Sequence, residues 1–267
     1  MSEFERKLSQ LKADLNTQGA RVSDQLLNAV ESSFGGNTTA AQKVVLSDAI
    51  IDRVDVEIER ACIGLLRIGA NDEHSIRSVL TIVKVNNEFE RIADCAVDVA
   101  QSAINSEQLV KLAPPTFRVM ANSVVGMARD TNQALANADT DLAVRVLSFD
   151  DTVSRFRKEI VLDVQHRTSS GGLDPLVAFE LLSVTRSLER IADHCTNICE
   201  QVIYLETGKI VRHSVEGWTS PETPEFLVKF PANYSLDSQN TVKNTCSDFG
   251  MNLMTGRNAN LFLNLKQ

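Results

Sequence analysis

The chain has 267 residues, of which 23% are charged and 5% aromatic, and its formal net charge is −8. That length suits one large domain or two modest ones, with ample chain for a core. The acidic balance argues against nucleic acid as the main partner, because phosphate binding needs clustered Lys and Arg, and it is compatible with cation binding.

The opening stretch, Met1-Ser2-Glu3-Phe4-Glu5-Arg6-Lys7, has no apolar region of the kind a secretory leader carries, so none is expected there. Helical periodicity then dominates from residue 3 to about residue 208. Gly35-Gly36 closes the first predicted helix. Gly69-Ala70-Asn71-Asp72 separates the second from the third, and Pro114-Pro115 is the clearest boundary of all. Asn137-Ala138-Asp139 makes a weaker break, and Ser169-Ser170-Gly171-Gly172 reads as a loop. Asp174-Pro175 then reads as an N-cap followed by proline at the first helical position. Gly208 stands near the end of the last predicted helix. No apolar run approaches the ~20 residues of a membrane span, so direct membrane insertion is not expected. From residue 214 onward the 3.6-residue period is lost amid Pro221, Pro224, Pro231 and many Asn, Ser and Thr, which predicts an irregular or disordered tail of unknown role.

The third and sixth predicted helices share one sequence. Glu88-Phe89-Glu90-Arg91-Ile92-Ala93-Asp94 returns as Ser187-Leu188-Glu189-Arg190-Ile191-Ala192-Asp193. Upstream, Asp48 matches Asp150, and Glu57-Ile58 matches Glu159-Ile160. Each repeat is therefore three helices with the shared motif on the third. Three amphipathic helices with short connections make an up-down-up bundle. The predicted fold is all-α: two tandem three-helix bundles plus the irregular tail. The domains fall at 1–112, 113–213 and 214–267.

The five cysteines (Cys62, Cys95, Cys195, Cys199 and Cys246) form no CxxC pair. Reduced thiols in the cytoplasm fit that pattern best. Cys195 and Cys199 are four apart on one helix, but small buried hydrophobes are the simpler reading.

The candidate chemistry is acidic. With Glu90 set at zero on a helical wheel, Asp94 falls at about 40° and Asp98 at about 80°. An apolar arc to one side (Phe89, Ala93, Ala96, Ala100) can serve as the core face. The second helix carries a ridge of Asp48, Asp52, Asp55 and Glu59 on one face. Packed antiparallel, the two helices could bring Asp48 and Asp52 opposite Glu90 and Asp94. Carboxylates gathered into one groove must protonate or gain a cation, and hard metals favour such oxygens. An acidic ridge is ordinarily a solvated face. The recurrence of Glu-xxx-Asp at matched places in both repeats weighs toward metal. The second repeat is poorer: Asp150, Glu189 and Asp193 remain, but Ser154, Arg157 and Val161 stand where the first has Asp52, Asp55 and Glu59. Metal is therefore expected more in the first bundle, with His194 or Asn197 available in the second. A solvated or capping His194 is the simpler reading of that residue. Arg91 and Arg190 are expected to bond neighbouring acids or carbonyls. No Gly-rich phosphate loop, Ser/His/Asp set or HExxH is present, so no catalytic residue is expected and the chain is not read as an enzyme.

The stretch from Arg186 to Glu200, with Glu189-Arg190-Ile191-Ala192-Asp193-His194 and Asn197-Ile198-Cys199-Glu200, closely resembles the signature helix of the PhoU family. Asn87 to Asp94 resembles the same helix in the other domain of that family. The resemblance covers about residues 3–213, with Ala93 and Ala192 replacing the usual glycine. It implies two three-helix domains in a cytoplasmic, usually homodimeric protein. It implies a negative regulator of phosphate uptake and of the phosphate-starvation response. The partners so implied are the ATPase subunit of the phosphate ABC transporter and a sensor histidine kinase. Metal clusters on paired E(D)xxxD motifs are implied too: Asp48–Asp52 with Glu90–Asp94, and Asp150 with Glu189–Asp193. The ion itself (iron, manganese, zinc or magnesium) is left open, and Ser154 puts the second cluster in question. The competing readings are a carboxylate-bridged metal enzyme and a metal-free helical adaptor. Against the enzyme, Ala93 and Ala192 stand where di-iron bundles supply the histidine of Glu-x-x-His.

Overall fold

A computed structural model describes residues 1–69, 72–105 and 109–211. The predicted tail, Cys246 included, lies outside the described residues. Every described element is helical: α1 Glu3–Gly35, α2 Thr38–Ile68, α3 Glu73–Asn105, the single turn α4 Leu109–Leu112, α5 Pro115–Asn137, α6 Thr140–Ser169 and α7 Pro175–Thr207. The six long helices were legible from their breakers. α4, which follows α3 and precedes the proline pair, was not.

Local chemistry fixes the ends. Ser2 and Glu5 form a capping box, with Ser2 Oγ accepting from the Glu5 amide at 3.1 Å and the Ser2 amide donating to Glu5 Oε2 at 2.6 Å. Asn37 caps α2 through the Ala40 amide at 3.0 Å. Asp139 and Asp174 cap α6 and α7, each accepting at 2.8 Å, from the amides of Leu142 and Leu176. α1 stops because Gly36 turns into the left-handed region at φ 61°, which closes the last carbonyls without a Cβ clash. Ala138 makes the same stop at φ 52° despite its side chain.

α1, α2 and α3 pack on one another, as do α5, α6 and α7. The two bundles then join side by side, α3 on α7 and α1 on α5, so that α1 to α7 form one compact unit. The outer helices are α2 and α6. The predicted core arc is buried: Phe89 and Ala93 are 1% exposed, Ala96 and Ala100 fully covered. A side chain such as Phe89 contributes about 1.5–3 kcal/mol by leaving water. The α1–α5 seam is close enough to require glycine. A Cβ on Gly19 would stand 2.5 Å from both Phe89 Cζ and Asn132 Oδ1, while Asn132 Nδ2 donates to the Gly19 carbonyl at 2.7 Å.

The four described cysteines are reduced and buried. Burial pushes the thiols of Cys62 and Cys95 up to about 11 and that of Cys199 up to about 12. Such thiols pack as hydrophobes and are poor nucleophiles or ligands at neutral pH. No described helix is long and apolar enough to cross a membrane.

Candidate functional site

The motif helix α3 presents two working faces. One looks at α2 and the other at α7.

On the α2 side, acids meet acids. Asp48 is half-buried, and its carboxyl is raised above the ordinary aspartate value by burial and by the charges of Asp52 and Asp94, against a hydrogen bond from Gln25. That bond runs from Gln25 Nε2 to Asp48 Oδ1 at 3.1 Å. Glu90 is raised by burial and by Asp94, Asp55 and Asp52, with Arg91 opposing. The Arg91 Nε lies 3.4 Å from Glu90 Oε2, so this arginine reaches back to its neighbouring acid. Asp55 is raised by burial, Glu59 and Asp52, and is held by Asn86 Nδ2, which donates at 2.6 Å to Asp55 Oδ1. Asp48, Asp52, Glu90 and Asp94, with Asp55, thus lie near enough along the α2–α3 groove to feel one another's charge. The raised proton affinities have one physical origin: carboxylates withdrawn from water beside other carboxylates, with little positive charge among them.

The groove supplies the oxygen-only donor set that hard cations prefer. Among the described residues, no three His, Cys, Asp or Glu side chains converge tightly enough to hold an ion as they stand. The donors fit a metal in kind, and holding one would need the carboxylates to swing inward.

Asp98 is not brought to this groove. Its Oδ2 accepts from Ser187 Oγ at 3.3 Å across the α3–α7 seam. The wheel angle put Asp98 at the edge of the acidic face, and packing turns it toward the other bundle.

In the second bundle Asp150, Glu189 and Asp193 also come together. Asp150 is raised by burial, Asp151 and Glu189; Asp193 by burial, Asp150 and Glu189, with His194 and Arg190 opposing. One difference decides the character of this groove. Arg157 Nε sits 2.8 Å from Glu189 Oε2. A guanidinium therefore stands where the first bundle has Asp55, and it neutralises the motif glutamate from within.

On the α7 side, the structure shows what the sequence reading missed. His194 Nδ1 lies 2.7 Å from Glu88 Oε2, and Asn197 Nδ2 donates to the same oxygen at 3.0 Å. His194 is therefore neither a solvated side chain nor a cap; it ties the two bundles together at a half-buried seam. A signal did exist. Glu88 and His194 occupy motif positions where the copies differ, matching Ser187 and Cys95.

Comparison with known proteins matches the geometry to a family. The model described as PhoU domain fits residues 15–103 and again 117–202. A PhoU homolog of Thermotoga maritima, a phosphate-specific transport system accessory protein, is 34% identical over 80% of this chain and 93% of its own length. The accessory protein PhoU of Escherichia coli is 27% identical over 79% of this chain and 88% of its own. The crystal structure of PhoU from Pseudomonas aeruginosa superposes with a TM-score of 0.72 at 28% identity, covering 78% of this chain and all of that one.

Proposed function

The chain belongs to the PhoU family, and from that membership we propose that it restrains phosphate uptake and the phosphate-starvation response as a non-enzymatic cytoplasmic regulator. Its partners in this reading are the ATPase subunit of the phosphate ABC transporter and a sensor histidine kinase, and it acts as a homodimer. The observation that carries the reading is that both repeats match the family's domain, in a chain whose relatives are named as accessory proteins of phosphate-specific transport. The architecture suits contact rather than turnover. Two bundles share a seam through α3 and α7, and the outer helix α2 carries its acid ridge at the protein surface.

Within this proposal the first groove is the metal site. Asp48, Asp52, Glu90 and Asp94 would hold a divalent or trivalent cation, and Asp98 is not among its ligands. A bound cation would supply positive charge that relieves carboxylate repulsion and stiffens the α2–α3 pair. In the second bundle Arg157 already supplies charge, so Asp150, Glu189 and Asp193 have less need of an ion.

The test is genetic and biochemical. Cells lacking the chain and grown in ample phosphate should keep taking up phosphate and keep starvation genes on. A tagged copy should retain the transporter ATPase on affinity resin. Normal repression in the deletion strain would refute the regulatory reading.

A further inference from the structure

The outer face of α3 is polar along one half and apolar along the other. Lys84 and Glu88 turn toward α7, where the Lys84 Nζ stands 5.7 Å from the centre of the Tyr204 ring and Glu88 meets His194. Arg77 turns the same way, since a Cβ on Gly208 would stand 3.0 Å from its Nη1. Asn86 turns toward α2. Ile76, Leu80 and Val83 fall between these two directions, about 60–120° round from Arg77 and away from the buried Val85 and Phe89. Further along the same outer face stand Asn87, Glu90 and Asp94, side chains suited to water.

α2 widens the apolar half. The bonds from Asn86 to Asp55 fix the antiparallel register of the two helices, which sets Leu66 beside the Ile76 turn and Ile63 between Ile76 and Leu80. Ile63, Leu66, Ile76, Leu80 and Val83 are each between 37% and 57% exposed. Single exposed aliphatics are ordinary, but a continuous stripe over two helices marks a contact surface.

The chain itself arrives at this stripe. α7 ends at Gly208, against Arg77. After the exposed Ile210, Val211 is buried at 7% exposure within the core, so the chain past the helix end turns back onto the protein. The second match to the family's domain stops at residue 202, so the segment that follows is no part of the matched fold. Residues 212–223, Arg212-His213-Ser214-Val215-Glu216-Gly217-Trp218-Thr219-Ser220-Pro221-Glu222-Thr223, lie outside the described residues. Two large apolar side chains stand among them, Val215 and Trp218, and Trp218 is the chain's only tryptophan. From Gly208, an extended chain reaches about 25 Å by Val215 and farther by Trp218. The stripe from Ile76 to Val83 is only about 10 Å long. A segment tethered this close meets the stripe at an effective concentration on the order of millimolar, with which any occupant from solution must compete.

We propose that residues 212–223 fold back along the outer face of α2 and α3, with Val215 and Trp218 covering Ile76, Leu80 and Val83 and with Ile63 and Leu66 at the edge of the contact. The inference rests on the stripe and the exit of the chain, and holds with or without the phosphate role.

The test is fluorescence of the full chain, which reads Trp218 alone. Its emission should lie to the blue of the urea-unfolded chain, and acrylamide should quench it several-fold less than it quenches N-acetyltryptophanamide. Leu80 is exposed, so Leu80→Glu should keep its helix, as circular dichroism checks. That variant should move the emission to the unfolded position and raise quenching several-fold. Leu46→Glu, at the far end of α2 and more exposed still, should change neither. Where Leu80→Glu loses helix, Ile63→Glu carries the same expectation. A Trp218 quenched as freely as the model compound overturns the proposal. So does protection that survives the stripe variants, which would place the contact elsewhere. Protection lost on dilution, as a dimer converts to monomer by size-exclusion chromatography, overturns it in favour of a second copy on the stripe.

Discussion

The two bundles carry the same Glu-Arg-Ile-Ala-Asp helix and use it differently. In the first, Glu90 feels the charges of Asp94, Asp55 and Asp52, opposed by its neighbour Arg91. In the second, Glu189 is held at 2.8 Å by Arg157. Duplication preserved the helix, and the exchange of Asp52, Asp55 and Glu59 for Ser154, Arg157 and Val161 on its partner separated two electrostatic solutions. One groove is left short of positive charge, so an external cation can act on it; the other is internally paired. The same division runs through the seam. Glu88 accepts from Asn197 and pairs with His194, while its counterpart Ser187 makes one longer bond to Asp98.

The largest effect should appear when the motif acids are removed pair by pair. Glu90→Ala with Asp94→Ala should lower metal retained after chelator-free purification roughly tenfold or more. Glu189→Ala with Asp193→Ala should leave most of it, as read by elemental analysis. Equal losses would erase the asymmetry between the grooves.

Next in size is the seam. Glu88→Ala leaves two half-buried partners unmatched and should cost about 2 kcal/mol in urea unfolding. Ser187→Ala should cost less than about 1 kcal/mol. A reversed order would show that the pseudo-symmetric contacts carry equal weight.

A smaller gain should come from copying the second bundle into the first. Asp55→Arg places a guanidinium within reach of Glu90 and removes one repelling acid. The metal-free protein should gain about 0.5–1 kcal/mol, the range of partly exposed pairs, and its melting temperature should stop responding to added divalent cation. Loss of stability instead would mean that the Asn86 bond to Asp55 outweighs the repulsion.

The gentlest test is pH. The folded carboxyls of Asp48, Asp55 and Glu90 hold protons to higher pH than the same groups do when unfolded. Over the window from their ordinary values up to the raised ones, the folded state binds more protons. Stability of the metal-free chain should therefore fall as pH rises through that window and recover on acidification into it. Asp48→Asn should flatten that slope, measured by thermal melts across the acid range. An unchanged slope would detach Asp48 from the groove's electrostatics.

Much of this was legible from local patterns. Gly36, Asp139, Asp174 and Gly208 end or begin helices through their own backbone and capping chemistry, so the breaks could be read without coordinates. The acid ridge of α2 and the acids of α3 follow from a 3.6-residue period, which fixes what shares a face. A wheel does not say which neighbour a face meets. Asp98 showed this: its angle was right, and its partner was Ser187 on α7 rather than the acids of α2.

The sequence by itself determined the helices, their duplication and the excess of acid along one ridge, because each is set by residues within a few turns of one another. Tertiary structure alone decided that Arg157 reaches Glu189 and that His194 meets Glu88 across 106 positions. Those outcomes depend on the rotation and register of one bundle against its twin, which are fixed by side-chain packing at the seam and by the close approach at Gly19, far from any local signal.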